Sequence, residues 1–103
     1  MPQLSNVDEL VLLAIAANSG EAYGVSIHDM LQNAGMQCSL GAVYTSLDRL
    51  ESKGFVKSEL GEASASRGGR RKRVFRAAPR GKNALAKSHE IRLRLQALRG
   101  QPT

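Results

Sequence analysis

Residues 39–56, SLGAVYTSLDRLESKGFV, carry the pattern that decides the fold of this 103-residue chain. Ser39 is a residue type that caps helix N-termini, and Gly54 is a type that follows helix C-termini. Between them, apolar residues recur every three or four positions and therefore share one helix face: Leu40, Val43, Leu47 and Leu50. The segment predicts an amphipathic helix that packs its apolar stripe on a core, followed by a strand from Phe55.

The opposite face of this predicted helix is small and hydrogen-bonding, with basic residues toward its end. Its members are Ala42, Thr45, Ser46, Arg49 and Lys53. A face that is only solvated more often carries mixed Glu and Lys. This composition therefore favours a surface that contacts a partner.

Two further helices are predicted before this one. The first begins at Ser5 or Asn6 and is apolar nearly all round, which predicts burial on several sides. The second spans about residues 23–34 and ends at Gly35. Only residues 35–38 separate it from the third helix, and so short a turn between two helices is typical of the helix-turn-helix.

A β-hairpin and a last helix follow. Residues 55–60 and 70–77 have strand character on either side of a Gly-rich tip at 61–69. Pro79 suits the first turn of a final helix that extends to about Arg99. The predicted fold class is mainly α with a small β-hairpin. We expect a winged helix-turn-helix DNA-binding domain at 1–78, and a C-terminal dimerisation helix and tail at 79–103.

Charge is distributed unevenly along the chain. The formal net charge is +6, and twelve of the 15 Lys and Arg residues follow Glu62, against one of the 9 acidic residues. Such asymmetry indicates a polyanionic partner, with a basic solubilising tail as the alternative. Five basic residues lie in or beside the hairpin tip: Arg67, Arg70, Arg71, Lys72 and Arg73. A basic loop beside a groove-binding helix can follow the DNA backbone or enter the minor groove.

Double-stranded DNA is therefore the predicted partner. Hydroxyl groups of Ser39, Thr45 and Ser46 can bond base edges or phosphates. The methyl group of Ala42 or Thr45 can contact thymine, and Arg49, one turn further on, can reach a phosphate.

The last helix carries a stripe with little core left to pack against. Its members are spaced four, three, four and three residues apart, as in a coiled-coil seam: Ala84, Ser88, Ile91, Leu95 and Leu98. We predict a homodimer in which Ile91, Leu95 and Leu98 pack on a partner chain, together with Leu10 and Leu13 of the first helix. Packing within one chain is the alternative. Two-fold symmetry also suits half-sites about one DNA turn apart.

The chain resembles the PadR family of winged-helix regulators. The similarity lies in EAYGVSI at 21–27, LGAVYTSLDRLESKGFV at 40–56, GRRKRVFR at 69–76 and PRG at 79–81. The resemblance implies a repressor that binds a palindromic promoter site as a dimer. It also implies a small-molecule effector at the dimer interface, and a Tyr44 hydroxyl that reaches a phosphate or lies half-buried.

The chain departs from the family pattern in three respects. Thr45 stands where many members have proline, which makes the assignment of base contacts less direct. Ala78 stands where a threonine often caps the last helix. The last helix is also short, as in a compact subtype with a single C-terminal helix.

Other function classes find little support in the residues. His28 and His89 are far apart and one cysteine cannot complete a zinc site with them, so we expect no metal, no cofactor and no enzymatic activity. Two alternatives to sequence-specific binding stay open: a winged-helix protein-interaction module, which the basic hairpin argues against, and a non-specific nucleic-acid binder.

Cellular location is predicted from two features. Cys38 is the only cysteine, which excludes an intrachain disulfide and suits a reducing cytosol. A redox role for Cys38 is a minor alternative to an incidental cysteine. No segment resembles a signal peptide or spans a bilayer, so we expect a cytoplasmic protein without a membrane partner.

Overall fold

The computed structural model describes residues 4–63 and 71–100, with the side chains of all of these except 62, 63 and 71. Four helices and three strands follow one another in chain order: α1 (Asn6–Ala17), β1 (Glu21–Tyr23), α2 (Gly24–Asn33), α3 (Leu40–Ser52), β2 (Val56–Ala63), β3 (Arg71–Ala77) and α4 (Pro79–Arg99). The strands form one antiparallel sheet in the order β1-β3-β2. The predicted fold class, a mainly helical winged helix-turn-helix, is confirmed.

Helix ends follow the capping residues of the sequence. The Ser5 hydroxyl accepts a hydrogen bond from the backbone N–H of Asp8 at 3.2 Å, and Ser39 accepts one from the N–H of Ala42 at 3.0 Å. Gly54, just past α3, has a φ of 79°, which a glycine adopts without steric cost. Pro79 opens α4, whose N-cap residue, Ala78, makes no side-chain capping bond.

The core lies where the helices meet the sheet. It is built from the inward faces of α1, α2 and α3 and from the two phenylalanines: Val11, Leu12, Ile15, Ile27, Leu31, Val43, Leu47, Leu50, Phe55 and Phe75. Leu40, predicted as part of the α3 stripe, is 38% exposed because it is the first residue of the helix and lies beyond the core.

α1 is not buried all round. Leu10 and Leu13 are 36% and 51% exposed, so the predicted burial of this helix on several sides is wrong for one face. An apolar surface there stays open to solvent.

β1 adds a strand that the sequence analysis did not predict. Its three residues pair with β3 in the register Glu21–Arg76, Ala22–Phe75 and Tyr23–Val74. Ala22 is buried, while the flanking residues are exposed. The strand joins α1 to α2 and attaches the helix-turn-helix to the hairpin.

α4 packs apolar side chains against the body only along its first half. Gly81 is buried so close to the chain before β2 that an added Cβ would lie 2.2 Å from the carbonyl oxygen of Phe55. Ala84 and Leu85 pack against the core, whereas residues 89–100 are all exposed. Within residues 4–63 and 71–100, no helix has the length and apolar character that crossing a membrane requires.

Candidate nucleic-acid interface

α3 presents one face to solvent because the other is held in the core. Val43, Leu47 and Leu50 are fully buried. Among the residues predicted to contact DNA, Ser39, Tyr44, Thr45 and Arg49 are exposed and Ala42 is half-buried. The structure therefore brings most of the predicted α3 contacts onto one outward surface.

The hydroxyl groups on this surface are only partly used within the chain. Thr45 Oγ1 donates to the carbonyl oxygen of Gly41 at 3.0 Å and keeps its lone pairs as acceptors. Ser39 Oγ accepts from the Ala42 N–H and keeps its own proton as a donor. The start of α3 thus offers both hydrogen-bonding polarities to a partner.

The ring of Tyr44 lies against the first residue of α2. A Cβ added to Gly24 would lie 2.5 Å from Tyr44 Cζ and 2.6 Å from its hydroxyl oxygen. A larger residue at position 24 would therefore force the Tyr44 ring to move. Tyr44 remains 40% exposed, at the junction of the two helices of the helix-turn-helix.

Ser46 does not lie on the outward face, and its prediction as a DNA contact is wrong. Its side chain is fully buried, and Oγ donates to Asp8 Oδ1 at 2.6 Å. The physical reason is helical spacing: Ser46 lies three residues after Val43 and four before Leu50, so it shares their inward stripe.

Arg49 is paired with Asp8, a residue that the sequence analysis did not single out. Arg49 Nη2 donates to Asp8 Oδ1 at 2.7 Å, and Nε donates to Oδ2 at 3.2 Å. The carboxylate is 1% exposed and the guanidinium side chain 45%. Arg49 therefore ties α3 to α1 with one edge of its guanidinium and has Nη1 left for a phosphate.

The turn before α3 is braced by hydrogen bonds to its backbone. His28 Nε2 lies 2.8 Å from the carbonyl oxygen of Cys38, and because a carbonyl only accepts, this nitrogen is the donor. The Cys38 N–H donates to the side chain of Gln32 at 3.3 Å. Both contacts hold α2 against the residue that precedes the Ser39 cap.

Arg73 of the wing lies on the same side of the sheet as α3. Cross-strand partners share a face, and β3 alternates, so Arg73 lies on the side of the buried Phe75. Arg73 Nη1 donates to Ser58 Oγ at 3.1 Å, and Ser58 in turn donates to Glu51 at the end of α3. Through these two bonds the Arg73 guanidinium lies beside α3, and its direct partner there is a hydroxyl group rather than a carboxylate.

Lys72 points to the other side of the sheet. Its Nζ lies 5.7 Å from the centre of the Tyr23 ring. Of the remaining predicted wing residues, Arg67 and Arg70 lie outside the described residues, and Arg71 is described only as backbone in β3.

Arg76, further along β3, differs from Arg73 in its partners. Its Nε donates to Glu21 Oε2 at 2.8 Å, and its Nη1 pairs with Glu59. Two carboxylates thus compensate the charge of Arg76. Among the residues that the structure describes, Arg73 has no such carboxylate partner.

The predicted dimer residues fall on two separate surfaces of one chain. Leu10 and Leu13 line a groove of about 760 Å³ between α1 and α4, closed on the α4 side by Leu85, Ala86, His89 and Arg92. Ile91, Leu95 and Leu98 are 48%, 59% and 61% exposed and lie about 140° around α4 from those groove residues. The structure does not bring the two sets together within one chain.

Comparison with known proteins assigns the family. The sequence model described as "Transcriptional regulator PadR-like family" matches residues 12–87. This chain belongs to the PadR-like family of transcriptional regulators. No curated protein matches it in sequence.

Solved structures share the fold of this PadR-like chain. A PadR family transcription regulator from Clostridium difficile R20291 is 25% identical with a TM-score of 0.75, over 92% of this chain and 96% of that one. A MarR mutant from E. coli, complexed with operator DNA, is 22% identical with a TM-score of 0.64, over 84% and 54%. BpsR of Bordetella bronchiseptica is 16% identical with a TM-score of 0.68, over 100% and 72%, and its DNA binding is regulated by 6-hydroxynicotinic acid.

The buried carboxylate of this PadR-like protein is held in its charged form. Burial raises the pKa of Asp8, but the hydrogen bonds from Arg49 and Ser46 and the charge of Arg49 outweigh it and leave the pKa below its ordinary value. A carboxyl group with a lowered folded-state pKa stabilises the fold above its unfolded pKa, and that stabilisation is lost as the pH falls through the folded pKa.

We predict that Asp8→Asn lowers the free energy of unfolding by about 1–3 kcal/mol at neutral pH, because the bonds from Arg49 lose their charged acceptor. Urea unfolding followed by circular dichroism measures this. The variant should also lose less stability than the wild type on acidification to about pH 3. Asp29→Asn, at an exposed position of α2, is the control and should behave as wild type at neutral pH. Equal neutral-pH stability of Asp8→Asn and wild type would show that the cluster contributes nothing to the fold.

Proposed function

We propose that this PadR-like regulator is a sequence-specific repressor that binds a palindromic promoter site as a homodimer in the cytoplasm. The observation that carries the proposal is the common orientation of two elements. α3 turns the hydroxyls of Ser39 and Thr45 outward, and the wing places Arg73 on the same side of the sheet. A small polar helix face beside a basic hairpin fits one duplex, with α3 in the major groove.

In this arrangement the two elements have different tasks. Ser39, Ala42, Tyr44 and Thr45 face the bases and the adjoining backbone, and Arg49 offers Nη1 to a phosphate. The basic residues of the wing follow the backbone or the minor groove: Arg67, Arg70, Arg71, Lys72 and Arg73. The MarR neighbour in complex with operator DNA supports this use of the fold.

Dimerisation is proposed to join the two separate apolar surfaces. The stripe Ile91, Leu95 and Leu98 of one chain would enter the α1–α4 groove of the other, against Leu10 and Leu13. A two-fold axis makes the exchange reciprocal, so both exposed surfaces are covered at once. The proposal divides the chain into a DNA-binding domain at 1–78 and a dimerisation helix and tail at 79–103.

A small-molecule effector at this interface is part of the same proposal. The groove is mainly apolar and includes four polar side chains: Asn6, Glu9, His89 and Arg92. Pockets of this kind take small apolar ligands with a few polar groups. BpsR, whose DNA binding is regulated by 6-hydroxynicotinic acid, supports such control in a protein of related fold.

The wing is tested by the salt dependence of DNA binding. We expect the triple change of Arg70, Arg71 and Arg73 to alanine to reduce the slope of log affinity against log salt by up to about 2.7, since each lost phosphate contact contributes about 0.9. Fluorescence anisotropy with a labelled duplex at several salt concentrations gives the slope. Arg76→Ala is the matched control and should leave the slope near wild type, because Glu21 and Glu59 already compensate that charge. A triple variant with an unaltered slope would mean that the wing does not contact phosphates.

The dimer is tested by placing a charge in the α4 stripe. Leu95→Glu should yield a monomer at micromolar concentration, because a buried unpaired carboxylate is costly in an apolar interface. Sedimentation equilibrium measures the mass. Leu60→Glu, at a leucine of β2 that is 52% exposed, serves as control and should leave the mass that of a dimer. A dimeric Leu95→Glu protein, or a monomeric wild type, would refute the proposed interface.

A further inference from the structure

The first turn of α1 contacts both functional helices through consecutive residues. Asp8 receives Ser46 and Arg49 from α3, as described above. Glu9, the next residue, accepts hydrogen bonds from α4. Ser88 Oγ donates to Glu9 Oε1 at 2.9 Å. Arg92 donates from Nε to Oε1 at 3.1 Å and from Nη2 to Oε2 at 2.8 Å. One helical turn thus joins the proposed DNA-reading helix to the proposed dimerisation helix.

The Arg49–Asp8 and Arg92–Glu9 contacts, called the two joints below, fix orientation as well as distance. Arg49 and Arg92 each bond a carboxylate with two nitrogens, and the planar guanidinium matches the planar carboxylate in only a narrow range of angles. The acceptors are largely removed from water: Asp8 is 1% exposed and the Glu9 side chain 15%. The guanidinium side chains are more open, with Arg49 45% and Arg92 54% exposed.

The Glu9 joint determines the direction in which α4 leaves the body. Gly81 fixes the start of the helix against the backbone of Phe55. Ser88 and Arg92 fix it again about 10–16 Å further along the axis. Beyond Arg92 the helix continues for about 10 Å with exposed side chains only, so its path there depends on these two anchors.

We propose that Asp8 and Glu9 are positioning residues that fix the angle between α3 and α4, and so set the half-site spacing that the dimer accepts. This inference rests on the proposed function, dimeric binding to a palindromic site. Each dimer contains the Glu9 joint twice, related by the two-fold axis. Movement of α4 at either joint therefore changes the separation of the two α3 helices. Adding one base pair shifts a half-site by about 3.4 Å and rotates it by about 35° around the duplex. A rigid joint excludes such sites, whereas a loose one admits them.

The chain offers a matched pair of variants for the test. Glu9→Gln removes one negative charge and weakens the bridge between α1 and α4. Glu90→Gln removes the same charge from a carboxylate that accepts from Arg94, four residues away on the same helix. Both changes alter net charge equally, but only the first releases one helix from another.

The experiment measures spacing preference directly. A preferred palindrome is first selected from random duplexes with the wild-type protein, and its half-site spacing is then changed by one and two base pairs in either direction. The wild type and Glu90→Gln should bind the selected spacing about tenfold more tightly than its neighbours, and Glu9→Gln less than about threefold more tightly. Sedimentation confirms that each variant is a dimer. Arg92→Lys, which keeps the charge without the two-nitrogen bond, replaces Glu9→Gln if that variant does not assemble.

The outcomes separate this inference from the proposed function. A dimeric Glu9→Gln protein with the wild-type spacing ratio would overturn the inference and leave sequence-specific binding intact. A Glu90→Gln protein that loses the spacing ratio as well would also overturn it, because charge alone would then be the cause. A wild type that selects no sequence at all would overturn the proposed function and the inference together.

Discussion

The buried carboxylate of Asp8 is the contact on which the orientation of α3 depends. Among the residues that the structure describes, the buried polar side chains are those of Asp8 and Ser46, and they bond each other. A buried carboxylate without partners is strongly destabilising, so α3 must present Ser46 and Arg49 to α1. A helix turns about 100° per residue, so with Ser46 and the stripe of Val43, Leu47 and Leu50 inward, Tyr44 and Thr45 lie on the outward face. The outward surface of α3, which we propose contacts DNA, thus depends on contacts on the opposite face of the helix.

Four of the arginines that the structure describes in this PadR-like protein have two kinds of environment. Arg49, Arg76 and Arg92 each pair with one or two carboxylates and join elements of the fold. Arg73 is bonded to a hydroxyl group instead, so its charge remains available to a polyanion. Part of the positive charge of the second half of the chain therefore joins elements of the fold, and the charge of Arg73 belongs to the surface that we propose binds DNA.

Local sequence signals were sufficient for most of the fold. Ser39 and Gly54 delimit α3, and Pro79 marks the start of α4, because capping and turn chemistry acts within a few residues. β1 was missed because three residues are too few to show a period. Leu10 and Leu13 were predicted to pack on a partner chain, but their exposure within one chain did not follow from periodicity, because a helix that is apolar all round does not indicate which face a neighbour leaves open.

The candidate site was predictable only where it depends on helix periodicity. The outward positions of Tyr44 and Thr45 follow from the stripe of Val43, Leu47 and Leu50. The pairing of Arg49 with Asp8 joins residues 41 positions apart, and no local pattern encodes such a contact. Ser46 has the spacing of the inward stripe, but its hydroxyl suggested a surface position because its buried partner, Asp8, lies on another helix.

Preference for one DNA sequence is the central property that we propose for this protein, and one measurement tests this preference. Fluorescence anisotropy of the purified protein is recorded with duplex DNA from upstream of its own gene and with a scrambled duplex, across a salt series. The account predicts tight binding to the upstream duplex, well above the scrambled one, with the difference retained as salt weakens both. Absence of binding to either duplex at low salt would contradict a DNA-binding function, and equal binding at every salt concentration would contradict recognition of this upstream sequence.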